Sequence, residues 1–257
     1  MARELAVYRS STFADNTAKT YRTHLKSYLD FCSKMAIPPV PVTERSVALF
    51  ATYLARRLKP SSTRQYLNIV RLLHLESGLP NPLQDSWMVK STLRGIDRVK
   101  GCEVVRKAPI TPTMLLEMRQ RLNFSKSPDC VFWGACLLMF FGLLRKSNLF
   151  ANGAKSFDPK RQLTRDCFHV DAQARTLSVM VTWSKNNQFK ERKQLINLPA
   201  LTPHPLCPVT AIVQAFQLSS PKTPKAQAFP MTSQNFYSKL KTLLPESQQI
   251  SSHSFRR

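Results

Sequence analysis

The chain has 257 residues, 43% of them hydrophobic and 21% charged, the profile of a soluble globular protein with room for a substantial buried core. Its 38 Lys and Arg against 15 Asp and Glu leave a formal charge of +23, a field that attracts polyanions, nucleic acid foremost. So few carboxylates argue against a nuclease built on acidic metal ligands, and six cysteines without a CxxC or a paired Cys/His spacing disfavour both zinc and a disulfide framework.

The excess charge is not a tail. Residues 1–100 carry 16 basic and 7 acidic side chains, and the remainder carries 22 and 8, so both halves are expected to face the same polyanion. Tyr21, Leu25, Tyr28, Leu29 and Cys32 recur at helical spacing, with Asp15 or Asn16 available as the cap. Ile37-Pro38-Pro39 ends that helix. Thr43 caps a second, with Val47, Phe50, Tyr53 and Leu54 on one face. Pro60-Ser61-Ser62 starts a third, striped by Tyr66, Ile69, Val70 and Leu73 and closed by a left-handed Gly78. A fourth runs from Ser86 or Trp87 to about Arg98. Helices of this length with short connections make a bundle.

Lys100-Gly101 and Arg106-Lys107-Ala108-Pro109 read as a basic linker. Thr111-Pro112, an N-cap and a first-turn proline, opens the next element. The apolar run Val131 to Leu144 is 14 residues long, too short to cross a bilayer, and reads as a buried helix ending at Arg145-Lys146. Leu163 to Val170, Arg175 to Trp183 and Gln194 to Leu198 read as a small antiparallel sheet. Helical patterns return at Val209 to Leu218 and Gln234 to Leu244. The predicted organisation is a helical domain over 1–98, a linker over 99–108 and an α+β domain over 109–257. No signal peptide opens the sequence, so an intracellular protein is expected, nuclear if the source is eukaryotic.

Three features can carry chemistry, and each alone has an ordinary reading. Arg145 at the end of an apolar helix complements a helix dipole. Lys185, after Thr182-Trp183-Ser184, is a solvated hairpin lysine. His253 and Arg256, three residues apart behind a serine cap, share a helical face that is usually plain surface. Together they form a phosphate-handling set. Arginine forks grip non-bridging oxygens, lysine protonates a departing alkoxide, and histidine donates to phosphate or moves a proton. The set lacks a nucleophile.

In this order the features resemble the tyrosine recombinase (phage-integrase-like) superfamily over essentially the whole chain. The helical half, with Thr17-x-x-x-Tyr21 on its first helix, resembles the core-binding domain, and the second half resembles the catalytic domain. Arg145 in Gly-Leu-Leu-Arg matches the first catalytic arginine, Lys185 the hairpin lysine, and His253-Ser-Phe-Arg256 the H-x-x-R element. The run Phe-Phe-Gly-Leu-Leu-Arg-Lys-Ser-Asn-Leu is most similar to recombinases of eukaryotic mobile elements. The fold class implied is mainly α with a small antiparallel sheet: a helical-bundle core-binding domain joined to an incomplete α+β catalytic domain.

Two departures stand out. Asn148 occupies the place where the family usually has Glu or Asp, three residues after the first arginine. The family's nucleophilic tyrosine follows H-x-x-R, whereas every tyrosine here, Tyr237 included, precedes His253. The chain is therefore expected to be truncated within its catalytic domain and unable to cleave alone.

The resemblance implies strand cleavage and rejoining through a 3′-phosphotyrosyl link, without metal or other cofactor. Arg145 and Arg256 would clamp the scissile phosphate, Lys185 would protonate the leaving 5′-oxygen, and His253 would assist. The partner implied is double-stranded DNA, bound as a homo-oligomer by the complete protein, with no membrane and no small-molecule substrate. Lys19, Arg22, Arg64, Arg71 and Arg94 share helices with the apolar stripes but lie off them, which suits contacts to phosphate or groove. The alternative class is a non-catalytic DNA-binding protein derived from a recombinase. A basic helical RNA-binding protein is the third reading, with no aromatic-rich strand to stack bases.

Overall fold

The structure is a computed structural model that describes residues 1–101, 107–184, 187, 193–244 and 250–256, the side chains of Ala154 and Arg256 apart. The chain divides into two compact units, Met1–Val104 and Val105–Arg257.

Unit 1 is helical: α1 (Ala2–Ser10), α2 (Asp15–Met35), α3 (Glu44–Ala55), α4 (Pro60–Glu76) and α5 (Trp87–Lys100). The last four share one core, with Tyr28, Phe31, Phe50, Leu54, Leu67, Val70 and Val89 buried in it. Local chemistry sets the starts. Thr43 Oγ1 accepts from Ser46 N–H and Ser86 Oγ from Val89 N–H, while Pro60 occupies the first turn of α4, where its missing donor costs nothing. Gly78 closes α4 at φ 71°. His74, buried near the end of α4, accepts from Val42 N–H through Nε2 at 3.1 Å and faces the Pro80 carbonyl through Nδ1 at 3.0 Å. One imidazole thus staples the entry to α3 against the exit from α4.

Three expectations for this unit need correcting. Helix α2 is preceded by Ala14 and has no side-chain cap, so neither Asp15 nor Asn16 caps it; Asp15 instead lies in the first turn, where its charge suits the helix dipole. Leu29 is exposed rather than part of the stripe, because the buried arc of α2 runs through His24, Tyr28, Phe31 and Cys32. Helix α1 was not anticipated. It buries none of its residues, so no apolar stripe marks it, and Leu5, Val7 and Tyr8 face outward.

Unit 2 is built around α7 (Ser127–Phe141), which follows α6 (Pro112–Gln120) and is buried continuously from Cys130 to Met139. A helix buried on all sides shows no polar face, which is why its apolar run is unbroken. Gly134 lets it meet α9 (Pro208–Leu218) closely: a Cβ there would stand 3.2 Å from the Ala211 carbonyl oxygen and 3.3 Å from the Ala215 Cβ. The short α8 (Lys146–Leu149) precedes the sheet, and α10 (Ser233–Leu243) follows α9.

The sheet is antiparallel in the order β1 (Phe168–Asp171), β2 (Thr176–Val181), β3 (Gln194–Pro199). Phe168 pairs with Val179, and Val179 with Ile196. Leu177, Val179 and Val181 alternate inward from the central strand, as period-2 packing requires. The first strand is shorter than predicted. Thr164 makes an isolated bridge to Gln227, and Arg165–Cys167 form a 3-10 turn before β1 begins.

Candidate functional site

The arginine of the Gly-Leu-Leu-Arg run does not end the apolar helix. Helix α7 stops at Phe141, and the chain turns through Gly142 and Leu143 before Arg145 takes the N-cap position of α8. A Cβ on Gly142 would stand 2.7 Å from the Leu138 carbonyl oxygen, so the turn is closed to larger residues. Leu143 takes the left-handed conformation at φ 51°, and Leu144 drops into the core. The half-buried Arg145 is thus delivered by a turn, and compensation of the α7 dipole is not its position.

Asn148 is the polar centre of this region and is 2% exposed. Its Nδ2 donates to the Trp183 carbonyl oxygen at 2.7 Å. Its backbone N–H returns to the Arg145 carbonyl at 2.9 Å, and its own carbonyl accepts from Leu163 N–H at 2.7 Å. The Arg145 turn, the segment before β1 and the chain leaving β2 meet on one residue. Arg161 backs the same place, its guanidinium 5.9 Å from the Trp183 ring centroid and paired with Asp158 at 3.5 Å. Lys185, two residues after Trp183, lies outside the described residues.

The H-x-x-R element was expected to place His253 and Arg256 on one helical face. Only Ser254–Arg256 are helical, as a single 3-10 turn, and His253 precedes it on the surface. Serine hydroxyls organise the approach: Ser251 Oγ accepts from His253 N–H at 3.2 Å, and Ser254 Oγ accepts from Ser251 N–H at 3.0 Å. The turn is fastened by the Ser254 carbonyl, which accepts from Ile110 N–H at 2.9 Å, and by Phe255, buried with its ring 6.1 Å from Phe236. Leu144, Leu149 and Phe255 belong to one core, so the Arg145 turn and the His253 turn are anchored in the same packed interior. Tyr237 sits on α10, half-buried beneath the Lys241 ammonium.

In unit 1, Lys19, Arg22, Arg64, Arg71 and Arg94 are all exposed. Helices α2 and α4 pack side by side through Asn68 Nδ2, which donates to Tyr21 Oη at 3.1 Å, and through His24 stacked on Tyr66 at 3.8 Å. The spacing of Lys19, Arg22 and Lys26 on α2, and of Arg64 and Arg71 on α4, lines up cations along each of these neighbouring helices. The two α4 arginines differ. Arg64 is held by Asp97 of α5, with Nη1 2.9 Å from Oδ1 and a second contact from Nη2 to Oδ2. Lys26 extends the α2 row beyond the residues singled out from sequence; its spacing from Arg22 was the available signal.

His24 beneath this surface is buried, its Nδ1 lacks a hydrogen-bond partner, and burial lowers its pKa from the ordinary 6.5. The folded state therefore favours neutral imidazole, and the unfolded state binds more protons just below pH 6.5. The His24 contribution to stability is fully present above that pH and is lost as pH falls through the lowered folded value. Urea midpoints of wild type should fall between about pH 7 and pH 5 more steeply than those of His24→Phe; equal slopes would remove His24 from the acid response.

Among the described residues no group of three His, Cys, Asp or Glu could hold a metal ion, and no helix is long and apolar enough to cross a membrane. Cys32, Cys130, Cys136, Cys167 and Cys207 are free thiols.

Comparison with known proteins adds three findings. Residues 2–77 match the phage integrase N-terminal SAM-like domain. An integrase/recombinase xerD homolog of Selenomonas ruminantium is 24% identical over 139 residues, 53% of this chain; the match spans only 40% of that relative's length. The integrase of the Tn1549 transposon, solved in complex with circular intermediate DNA, superposes with a TM-score of 0.53 at 13% identity, over 98% of this chain and 82% of that one.

Proposed function

We propose that this chain, a member of the tyrosine recombinase superfamily, binds duplex DNA through the cations of α2 and α4 and presents a phosphate-gripping pocket from its second unit. The observation that carries this reading is the pair of adjacent helices with exposed Lys19, Arg22, Lys26 and Arg71, which lie within the residues matched by the integrase N-terminal domain. The domain boundaries follow the sequence reading: a core-binding domain over 1–98, a linker over 99–108 and the recombinase catalytic domain from 109.

In the pocket, Arg145 and Arg256 grip the non-bridging oxygens of one phosphodiester, and His253 donates to the same group. In the recombination reaction a tyrosine oxygen forms the bond to phosphorus, the P–O5′ bond breaks, and Lys185 gives its proton to the leaving 5′-oxygen. Among these 257 residues no tyrosine follows His253, and the nucleophile of the proposed reaction is not assigned to any of them. The mobile-element assignment draws on the likeness to the Tn1549 transposon integrase, and assembly on DNA as a homo-oligomer is part of the same proposal.

The test is titration of a labelled duplex at several salt concentrations. Affinity should fall linearly on a log–log plot, with a slope of about −0.9 per phosphate contacted. Lys19→Ala, Arg22→Ala and Arg71→Ala should each reduce the slope by about one. Arg64→Ala should change it less, because Asp97 already holds that guanidinium. Arg145→Ala should weaken binding while leaving the circular dichroism spectrum intact. Salt-independent binding, or wild-type affinity in Arg145→Ala, would overturn the reading. A covalent adduct on nicked DNA that vanishes in Tyr237→Phe would overturn the expected lack of cleavage.

A further inference from the structure

We infer that the outward face of α5 takes the unpaired nucleotides of a DNA strand leaving the duplex held by α2 and α4; its place beside a DNA duplex rests on the proposed function. Trp87, Lys90, Arg94 and Arg98 are exposed, and helical spacing puts them within about a quarter of the circumference of α5. The opposite side carries Val89, 3% exposed, and Ile96, which packs on the core. Trp87 directly follows the cap Ser86 and is 72% exposed, whereas Trp133 is 2% exposed. Its indole therefore contributes little to the core and keeps a π-face open beside three cations.

That set of groups suits an unpaired strand better than a closed duplex. In a duplex the bases stack on one another and a protein meets only their edges. Every unpaired base offers a face to an aromatic ring, and its phosphate a charge to a cation. A tryptophan among arginines also suits a protein partner, but the charge here is one-sided. Asp97, the one acid of α5, is held by Arg64 of α4, and Lys90 Nζ stands 3.4 Å from Asp85 Oδ1 just before the helix. The Arg64–Asp97 bridge also joins the α5 face, at its Arg98 end, to the cations of α4. From Arg98 to Trp87 the helix runs about 16 Å, room for several nucleotides.

The test compares a labelled blunt duplex with the same duplex carrying an eight-nucleotide dT overhang at its 5′ or its 3′ end. At least one overhang should bind about tenfold tighter than the blunt duplex. Trp87→Ala and Trp87→Leu should lose that gain while blunt-duplex affinity stays at wild type. Trp87→Phe keeps a π-face and should retain most of it. The salt slope should steepen by about 0.7 for each overhang phosphate contacted, and Arg98→Ala should remove about one such step. No gain with either overhang would leave the face to a protein partner and overturn the inference. A gain undiminished in Trp87→Ala or Trp87→Leu would overturn it, as would equal losses on blunt and overhang duplexes in Trp87→Ala. Should the blunt duplex fail to bind at all, the proposed function falls. Quenching of tryptophan emission by free dT8, and its loss in Trp87→Phe, then reads the α5 face by itself, and absence of quenching overturns the inference.

Discussion

Phe255→Ala should destabilise the second unit by about 3–5 kcal/mol, the range for deleting a fully buried aromatic ring. The ring is 2% exposed and packs toward Phe236, which itself stacks on Phe150 at 4.7 Å. Its removal leaves a hole beneath the 3-10 turn that follows His253 and ends in Arg256, and the bond from Ile110 N–H to the Ser254 carbonyl loses its support. Urea midpoints should therefore drop, and duplex affinity should drop with them even at urea concentrations where the protein remains folded. Phe255→Leu restores most of the volume and should recover most of both. A Phe255→Ala protein with wild-type midpoint would show that the turn is not fastened through this ring.

The second large effect is expected at Arg165, far in sequence from the helix it completes. Its Nη1 donates to the Phe216 carbonyl at 2.9 Å, and its Nη2 to the Ser219 carbonyl at 2.8 Å and Ser219 Oγ at 2.7 Å. These groups lie at the C-terminal end of α9, where backbone carbonyls have no partner within the helix and where a cation opposes the dipole. The guanidinium also lies 4.8 Å from the Phe216 ring centroid. Burial lowers its pKa, yet arginine keeps its proton over the working range, so the charge stays in place. Arg165→Ala should cost about 1.5–3 kcal/mol, the range for hydrogen bonds to a charged group, by taking this donor from the Phe216 and Ser219 carbonyls and the Ser219 hydroxyl. Arg165→Lys should recover only part, because one ammonium cannot reproduce the planar fork. A thermal or urea midpoint within error of wild type for Arg165→Ala would refute this cap.

Much of the fold was legible because its signals are local. Thr43, Ser86 and Thr111 each accept the backbone N–H that a cap must accept, and Gly78 adopts the left-handed conformation read from its place after α4. The uninterrupted apolar run announced α7 because that helix is buried all round. What escaped notice depends on tertiary partners or on none. Helix α1 leaves no stripe because it buries nothing. The end of α7 moved from Leu144 to Phe141 because apolar content continues past the helix: Leu144 is buried by packing, not by helical periodicity. Arg165 resembles any other arginine until α9 is brought against it.

The candidate site was legible as residue types in order, and less so as geometry. Arg145 was read as the last residue of a helix and stands at the start of another. The spacing puts His253 and Arg256 on one helical face, whereas His253 precedes the single 3-10 turn that Arg256 ends. Asn148 stands in the sequence as a departure from the family's usual acid, and its partner is a carbonyl oxygen that only a donor can satisfy. Nothing in the sequence marks Trp183 as that partner, since a backbone carbonyl looks the same at every position.

The placement of Leu144 beside Arg145, and of Phe255 beside Arg256, bears on how such a chain ages once its chemistry is no longer needed. Arg145 and Arg256 are each joined by one peptide bond to a hydrophobic plug in the interior. If the proposed chemistry were abandoned, folding would still require Leu144, Gly142 and Phe255, whereas the exposed His253 side chain carries no such demand. The recognisable spelling of both motifs would then outlive the reaction, its buried letters preserved by folding and only its exposed letters recording use. Under the proposed function, activity in a descendant is therefore to be read from the arginines and the histidine, and never from the hydrophobic letters between them.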